Sequence, residues 1–215
     1  MINIVTIERE YGSGAAVIAK TLAERLGWTL WDQAITHAIA SRLKCDVKSV
    51  EQREERLDPT FYRLVKIFMR GSYEESFTGG GLELLDAEHL AKLFETVVKD
   101  IASKGRCVIV GRGAPCFLRD RADAVHVFIY APHDEKVRRI TAQGRSVAEA
   151  EELIDRVDQE RAAFIKKFYG RVWPQRNLYH LMINSMLGDE YVINTILNTM
   201  DVLNKQEAPV ARRSG

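Results

Sequence analysis

A chain of 215 residues with 46% hydrophobic and 28% charged residues is long enough for one domain with a substantial core, and it excludes a disordered or fibrous class. A net charge of +1 supplies no global field to recruit nucleic acid or an anionic membrane, so a protein of this composition must handle phosphates with local basic clusters. Cys45, Cys107 and Cys116 have neither CxxC nor Cys/His ligand spacing and read as buried or free thiols in a reducing cytosol.

Residues 2–7, "INIVTI", form a β-branched run suited to a central parallel strand. It starts almost at Met1, which leaves no room for a signal peptide, and no apolar run approaches the ~18 residues of a membrane span; the expectation is a soluble, cytoplasmic protein. Over 15–26 the residues Val17, Ile18, Leu22, Ala23 and Leu26 fall on one helical face, and Gly27 is a suitable stop. "WTLWD" (28–32) is a second strand ending in an acid. Helices follow over 33–44 and 46–57.

Residues 57–86 hold an apolar helical stretch and then a loop with Gly79, Gly80 and Gly81. Phe61, Tyr62, Leu64, Val65, Ile67, Phe68 and Met69 are too apolar to lie wholly in water, so 57–82 is expected to be core, or a mobile arm that pairs two copies as a homodimer. A helix over 83–103 ends at Gly105. Strands over 106–111 and 123–131 alternate with helices over 133–142 and 146–169, and a strand over 178–185 precedes a helix over 188–203. Residues 205–215 form a frayed tail. This alternation predicts an α/β fold, a parallel sheet of about five strands covered by helices on both faces.

In such a sheet ligands bind beyond the carboxyl ends of the strands. That places Glu8–Gly14, Asp32, Gly111–Gly113, Tyr130–His133 and Asn184–Ser185 around one candidate site. In the first loop Gly12, Ser13 and Gly14 keep a backbone phosphate cradle open. A phosphate loop of the form GxxxxGK[ST] needs Lys and a hydroxyl next, where this chain has Ala15 and Ala16. The segment is therefore either a phosphate cradle without its lysine or a plain strand-to-helix turn.

Gly111-Arg112-Gly113 sets an arginine, suited to bidentate phosphate contact, just past a strand; a surface turn is the other explanation. Lys136, Arg138, Arg139, Arg145, Arg156, Arg161, Lys166, Lys167 and Arg171 fit either a solvated helix face or an arginine lid, with Asp155 and Asp158 interleaved. Asp32 suits an acid–base or Mg²⁺ role, or an N-cap for the next helix. No histidine pair has metal-ligand spacing.

The blocks "TIEREYGSGAAVIAKTLAERLG", "WTLWDQAI", "CVIVGRGAPCFLRD", "VHVFIYAPHDEKVRRI", "LIDRVDQERAAFIKKFYGRVW" and "NLYHLMINSMLG", taken in order, resemble the cytidylate kinase-like family, a divergent branch of the P-loop nucleoside monophosphate kinases. The resemblance implies one P-loop domain over 1–204, with 45–104 as an inserted helical acceptor or arm region and 132–175 as the lid. It implies ATP and Mg²⁺ as cofactors. Asp32 falls on an aspartate near the transferred phosphate and the metal. Arg112 falls on the arginine of a Gly-Arg pair at the acceptor phosphate, Asp158 and Arg161 on an acceptor-binding Asp-x-x-Arg, and Arg139 within the arginine pair that opens the lid.

Three features depart from the family pattern. Ala15 replaces the lysine, Val17 lies at the threonine, and Tyr130 replaces the acid ending the next strand. Arg9, within the loop, is the favoured substitute for the missing charge, since Lys20 sits five residues past Ala15 and points away on a helix. The expected activity is phosphoryl transfer from ATP to a nucleotide or similar small phosphorylated acceptor. The competing expectations are a non-catalytic nucleotide sensor and an unrelated α/β binding protein.

Overall fold

Parallel strands need helical crossovers, and the computed structural model, which describes residues 1–32, 34, 35 and 87–207, alternates them along the chain. In order it has β1 (Ile4–Arg9), α1 (Ala15–Leu26), β2 (Thr29–Trp31), α2 (Ala87–Lys104), β3 (Cys107–Val110), α3 (Ala114–Leu118), β4 (Ala124–Tyr130), α4 (His133–Thr141), α5 (Val147–Tyr169), β5 (Leu181–Asn184) and α6 (Asp189–Glu207). Most of the expected helix over 33–44, the helix over 46–57 and the apolar arm 57–82 lie outside the described residues.

The five strands are all parallel in the order β2-β3-β1-β4-β5. Side chains alternate across β1, so its two faces bury different partners. Val5 and Ile7 pack with α1 and α6 through Ile18, Leu22, Val192 and Ile196. Ile4 packs on the opposite face with Phe94 and Val98 of α2, Leu118 of α3 and Phe164 of α5. Phe94 lies 6.1 Å from Phe164 and 6.4 Å from Phe168, ring centre to ring centre. Helices cover both faces, as the alternation predicts.

That second face also carries Thr6, Glu8 and His126, all buried. Thr6 and His126 are register partners on β1 and β4. His126 Nε2 donates to Leu118 O (3.2 Å), which leaves Nδ1 to accept from the Thr6 hydroxyl at 2.7 Å. Burial first, and then His180 stacked at 5.1 Å, push the His126 imidazole down to about 4.

Several details differ from the sequence pattern. Val17 is 54% exposed, because it starts the helix at the rim of a cleft rather than over the core. α3 was not expected: five residues carry too little periodicity to read, although Pro115, two residues after Gly113, is a helix-start signal. The strand expected over 178–185 shortens to Leu181–Asn184, since Arg176–Leu178 forms a 3₁₀ turn. α6 runs past 203 to Glu207, held by Leu203 against the core and by Ile2 N donating to Asn204 Oδ1. No helix among the described residues is long and apolar enough to cross a membrane.

Because β1 and β3 are neighbours whose following helices, α1 and α3, pack on opposite faces, a crevice opens between their carboxyl ends.

Candidate functional site

The chain leaves β1 at Arg9, and Glu10 N still donates to Ile129 O of β4 (3.0 Å). A tight turn follows, in which the Ser13 hydroxyl donates to Glu10 O at 2.7 Å. Gly12 (φ 76°) and Gly14 (φ 78°) are left-handed, and both lack room for a side chain. A Cβ on Gly12 would meet Ile140 Cδ1 and Lys136 Cβ at 3.0 Å, and one on Gly14 would meet Arg139 Nη1 at 2.7 Å. Only glycine permits this close approach of α4 to the loop.

Gly14 is the N-cap of α1, with no side-chain cap and no acid in the first turn. Helix N-termini in that condition present backbone N–H groups and a positive dipole end. The loop and the start of α1, Arg9 to Val17, line a cleft of about 470 Å³ together with Ile140, Gln143, Arg145 and Arg161.

Arg139 secures the opposite side of the loop. Its Nε donates to Glu135 Oε1 (2.7 Å), Nη2 to Ser185 O (3.0 Å), and Nη1 reaches Ser185 Oγ (3.0 Å) and Ser13 O. Ser185 Oγ itself donates to Ser13 O at 2.6 Å. The lid-opening arginine of the sequence reading is thus engaged with the loop backbone and the end of β5.

Past β3, Gly111 N donates to Ile7 O (2.9 Å) and Gly113 N to Glu8 Oε1 (3.1 Å). Arg112 between them is itself left-handed at φ 63°. The Arg9 guanidinium lies close against Gly111: a Cβ there would overlap Arg9 Nη1 and come within 3.1 Å of Cζ. Glu8, Arg9, Asp32 and Arg112 are between 4% and 7% exposed, so the ends of β1, β2 and β3 bring four charged groups into one buried cluster.

Burial pushes Arg112 down to about 10, with Asp32 opposing the shift and Arg9 adding to it. Burial likewise pushes Arg161 down to about 10, reinforced by Arg9 and opposed by Asp158. Arg112 and Arg161 therefore both feel the charge of Arg9 yet stay protonated at neutral pH. Tyr169 covers the cluster, its hydroxyl 3.4 Å from Arg112 O and its ring edge-on to Phe117 at 4.9 Å; burial raises its phenol well above the usual range.

Asp158 and Arg161 face the loop. Tyr11 N donates to Asp158 Oδ1 (2.8 Å), and Arg161 Nη1 donates both to Asp158 Oδ1 and to Arg9 O (each 3.0 Å). Burial raises the Asp158 carboxyl, against the pull of Arg161. Lys136, only 8% exposed, donates to Glu10 Oε2 at 3.0 Å and lies 3.7 Å from Asp158 Oδ2. Of the downstream basic run, Lys136, Arg139 and Arg161 reach the loop and Arg145 lines the cleft, whereas the side chain of Arg138 is 70% exposed and that of Arg156 45%. The signal was present in helical spacing: 136, 139 and 140 share one face of α4.

The chain matches the model of the cytidylate kinase-like family over residues 4–186. No curated protein matches it. Among solved structures, an uncharacterised protein from Eubacterium ventriosum is 21% identical, with 94% of this chain and 99% of that one covered and a TM-score of 0.66. Shikimate kinase from Acinetobacter baumannii, solved with shikimate, is 15% identical, with 93% of each chain covered and a TM-score of 0.51. At these identities the likeness is one of fold, that of the P-loop kinases.

Proposed function

The chain belongs to the cytidylate kinase-like family, and from that premise we propose that it is an ATP-dependent phosphotransferase acting on a nucleotide or similar small phosphorylated acceptor. The observation that carries the reading is the uncapped N-terminus of α1 on the wall of a cleft that also holds Arg9, Arg145 and Arg161. Backbone N–H groups of residues 12–16 bind the phosphates, and Arg9 supplies the positive charge that Ala15 does not. Arg112, behind Arg9 and backed by Asp32, meets the acceptor phosphate. Arg139 holds the Ser13 carbonyl away from the incoming anion.

The γ-phosphoryl passes in line from ATP to an acceptor oxygen: the bond to the β–γ bridging oxygen breaks, a new P–O bond forms, and ADP leaves. The Mg²⁺ that such a transfer uses would need one or two carboxylates from the protein. Among the described residues no three metal-binding side chains converge, but Asp32, buried and set against Arg112, is a carboxylate of the kind required and is the residue that would hold the ion. Bound there, the ion would supply positive charge against the phosphoryl oxygens. A cytosolic setting and self-association through 57–82 belong to the same proposal; a monomer in light scattering at tens of micromolar rejects the latter.

A second reading, a nucleotide sensor without turnover, draws on Ala15, Ala16 and Tyr130 at three positions where kinases carry functional side chains. An ADP-release assay over nucleosides and nucleoside monophosphates, run beside ATP calorimetry, separates the two. Binding with turnover supports the phosphotransferase, binding without turnover the sensor, and absence of both rejects each.

A further inference from the structure

Three consecutive residues of the loop are gripped from outside it. Arg9 is held through its carbonyl by Arg161, Glu10 through its carboxylate by Lys136, and Tyr11 through its amide by Asp158. The gripping groups come from α4 and α5 and are joined to one another, Asp158 to Arg161 at 3.0 Å and to Lys136 at 3.7 Å. Their side chains are 16%, 17% and 10% exposed for Arg161, Asp158 and Lys136. Charges this secluded are stable only while paired, so removing one leaves its partner uncompensated and shifts the others. At Gly12 the contact becomes steric, because the backbone and Cβ of Lys136 lie where a side chain would go.

The loop has a reason to need outside support. Its fourth to seventh residues past β1 are Ser13, Gly14, Ala15 and Ala16, none with a charge to organise neighbouring carbonyls, and two of its turns depend on left-handed glycines with wide conformational freedom. We propose that Lys136, Asp158 and Arg161 are positioning residues that hold this lysine-less loop in the shape that receives a polyphosphate, and that Asp158 and Arg161 act on the loop backbone rather than on the acceptor. The proposal rests on the phosphotransferase reading of the same cleft.

The test compares wild type with Lys136→Met, Lys136→Arg and Asp158→Asn, the last keeping an acceptor oxygen for Tyr11 N and removing only the charge. Calorimetry measures inorganic tripolyphosphate and ATP, and hydrogen exchange follows the Tyr11 amide without ligand. Lys136→Met and Asp158→Asn are expected to weaken both anions by a common factor of about tenfold. Lys136→Met also speeds Tyr11 exchange by about tenfold, and Lys136→Arg recovers most of both. Should Lys136→Met fail to fold, Asp158→Asn carries the same comparison. Tripolyphosphate affinity within about twofold of wild type in the charge-removed variants, or no recovery in Lys136→Arg, overturns the proposal. Wild type binding neither anion overturns the phosphotransferase reading instead; Tyr11 exchange then decides alone, faster exchange in Lys136→Met upholding the grip and unchanged exchange rejecting it.

Discussion

Replacing Gly111 by alanine moves Arg9 without altering its charge. Gly111 has φ 69°, and a Cβ there overlaps Arg9 Nη1 while standing 3.1 Å from Cζ. Carbon contacts settle near ~3.5–4.0 Å, so the guanidinium must retreat by roughly 1 Å. A displacement of that size within a reacting constellation costs up to about 10²-fold in rate. The methyl also has a backbone cost, about 1–2 kcal/mol for a left-handed alanine. Gly27→Ala isolates that part, because Gly27 has φ 61° and nothing within 4 Å of its Cβ position. Both variants should melt lower, by ~2–4 °C per kcal/mol for a chain of this size. Only Gly111→Ala should lose kcat/KM for ATP, by at least about tenfold or 1.4 kcal/mol, in a coupled ADP-release assay, with a parallel loss of ATP affinity by calorimetry. A Gly111→Ala protein that melts like Gly27→Ala and handles ATP like wild type would falsify the placement of Arg9 at the phosphates.

Direct removal of that side chain, Arg9→Ala, should weaken ATP binding or turnover by at least about tenfold, and unchanged values would show that the missing lysine is not replaced there. Arg112→Ala should raise the acceptor KM far more than the ATP KM; equal increases would take Arg112 off the acceptor side. For His126 the imidazole protonates at about 4 in the folded chain and at 6.5 when unfolded, so the unfolded chain binds the extra proton between those values. The stabilisation is complete above pH 6.5 and is lost as pH falls toward 4, by about 3 kcal/mol in all for a shift of this size. Urea midpoints across that window should fall steeply for wild type and much less for His126→Asn, and identical slopes would remove His126 as the cause.

Local chemistry decided much of this protein. The β-branched runs of β1 and β3, the α1 face ending at Gly27, and the glycines bracketing Arg112 are properties of a few neighbouring residues, which is why the alternating fold, and with it a candidate cleft at the strand ends, was legible in the sequence. The lack of the loop lysine was equally plain. Strand order was not readable from local pattern, because any parallel strand can pair with any other, and α3 was too short to show a period. The contacts that each charge makes were hidden as well. Arg139 reads as a lid arginine and Asp158 with Arg161 as an acceptor pair, yet their side chains turn to the loop backbone. Lys136 reads as one of nine basic residues until α4 is laid against Gly12. Those contacts join residues 126 to 152 positions apart, and no helical or strand period reaches that far. Only the packing of α4 and α5 over the carboxyl end of β1 sets which cations are buried there, and burial is what turns an ordinary surface charge into one that must be paired.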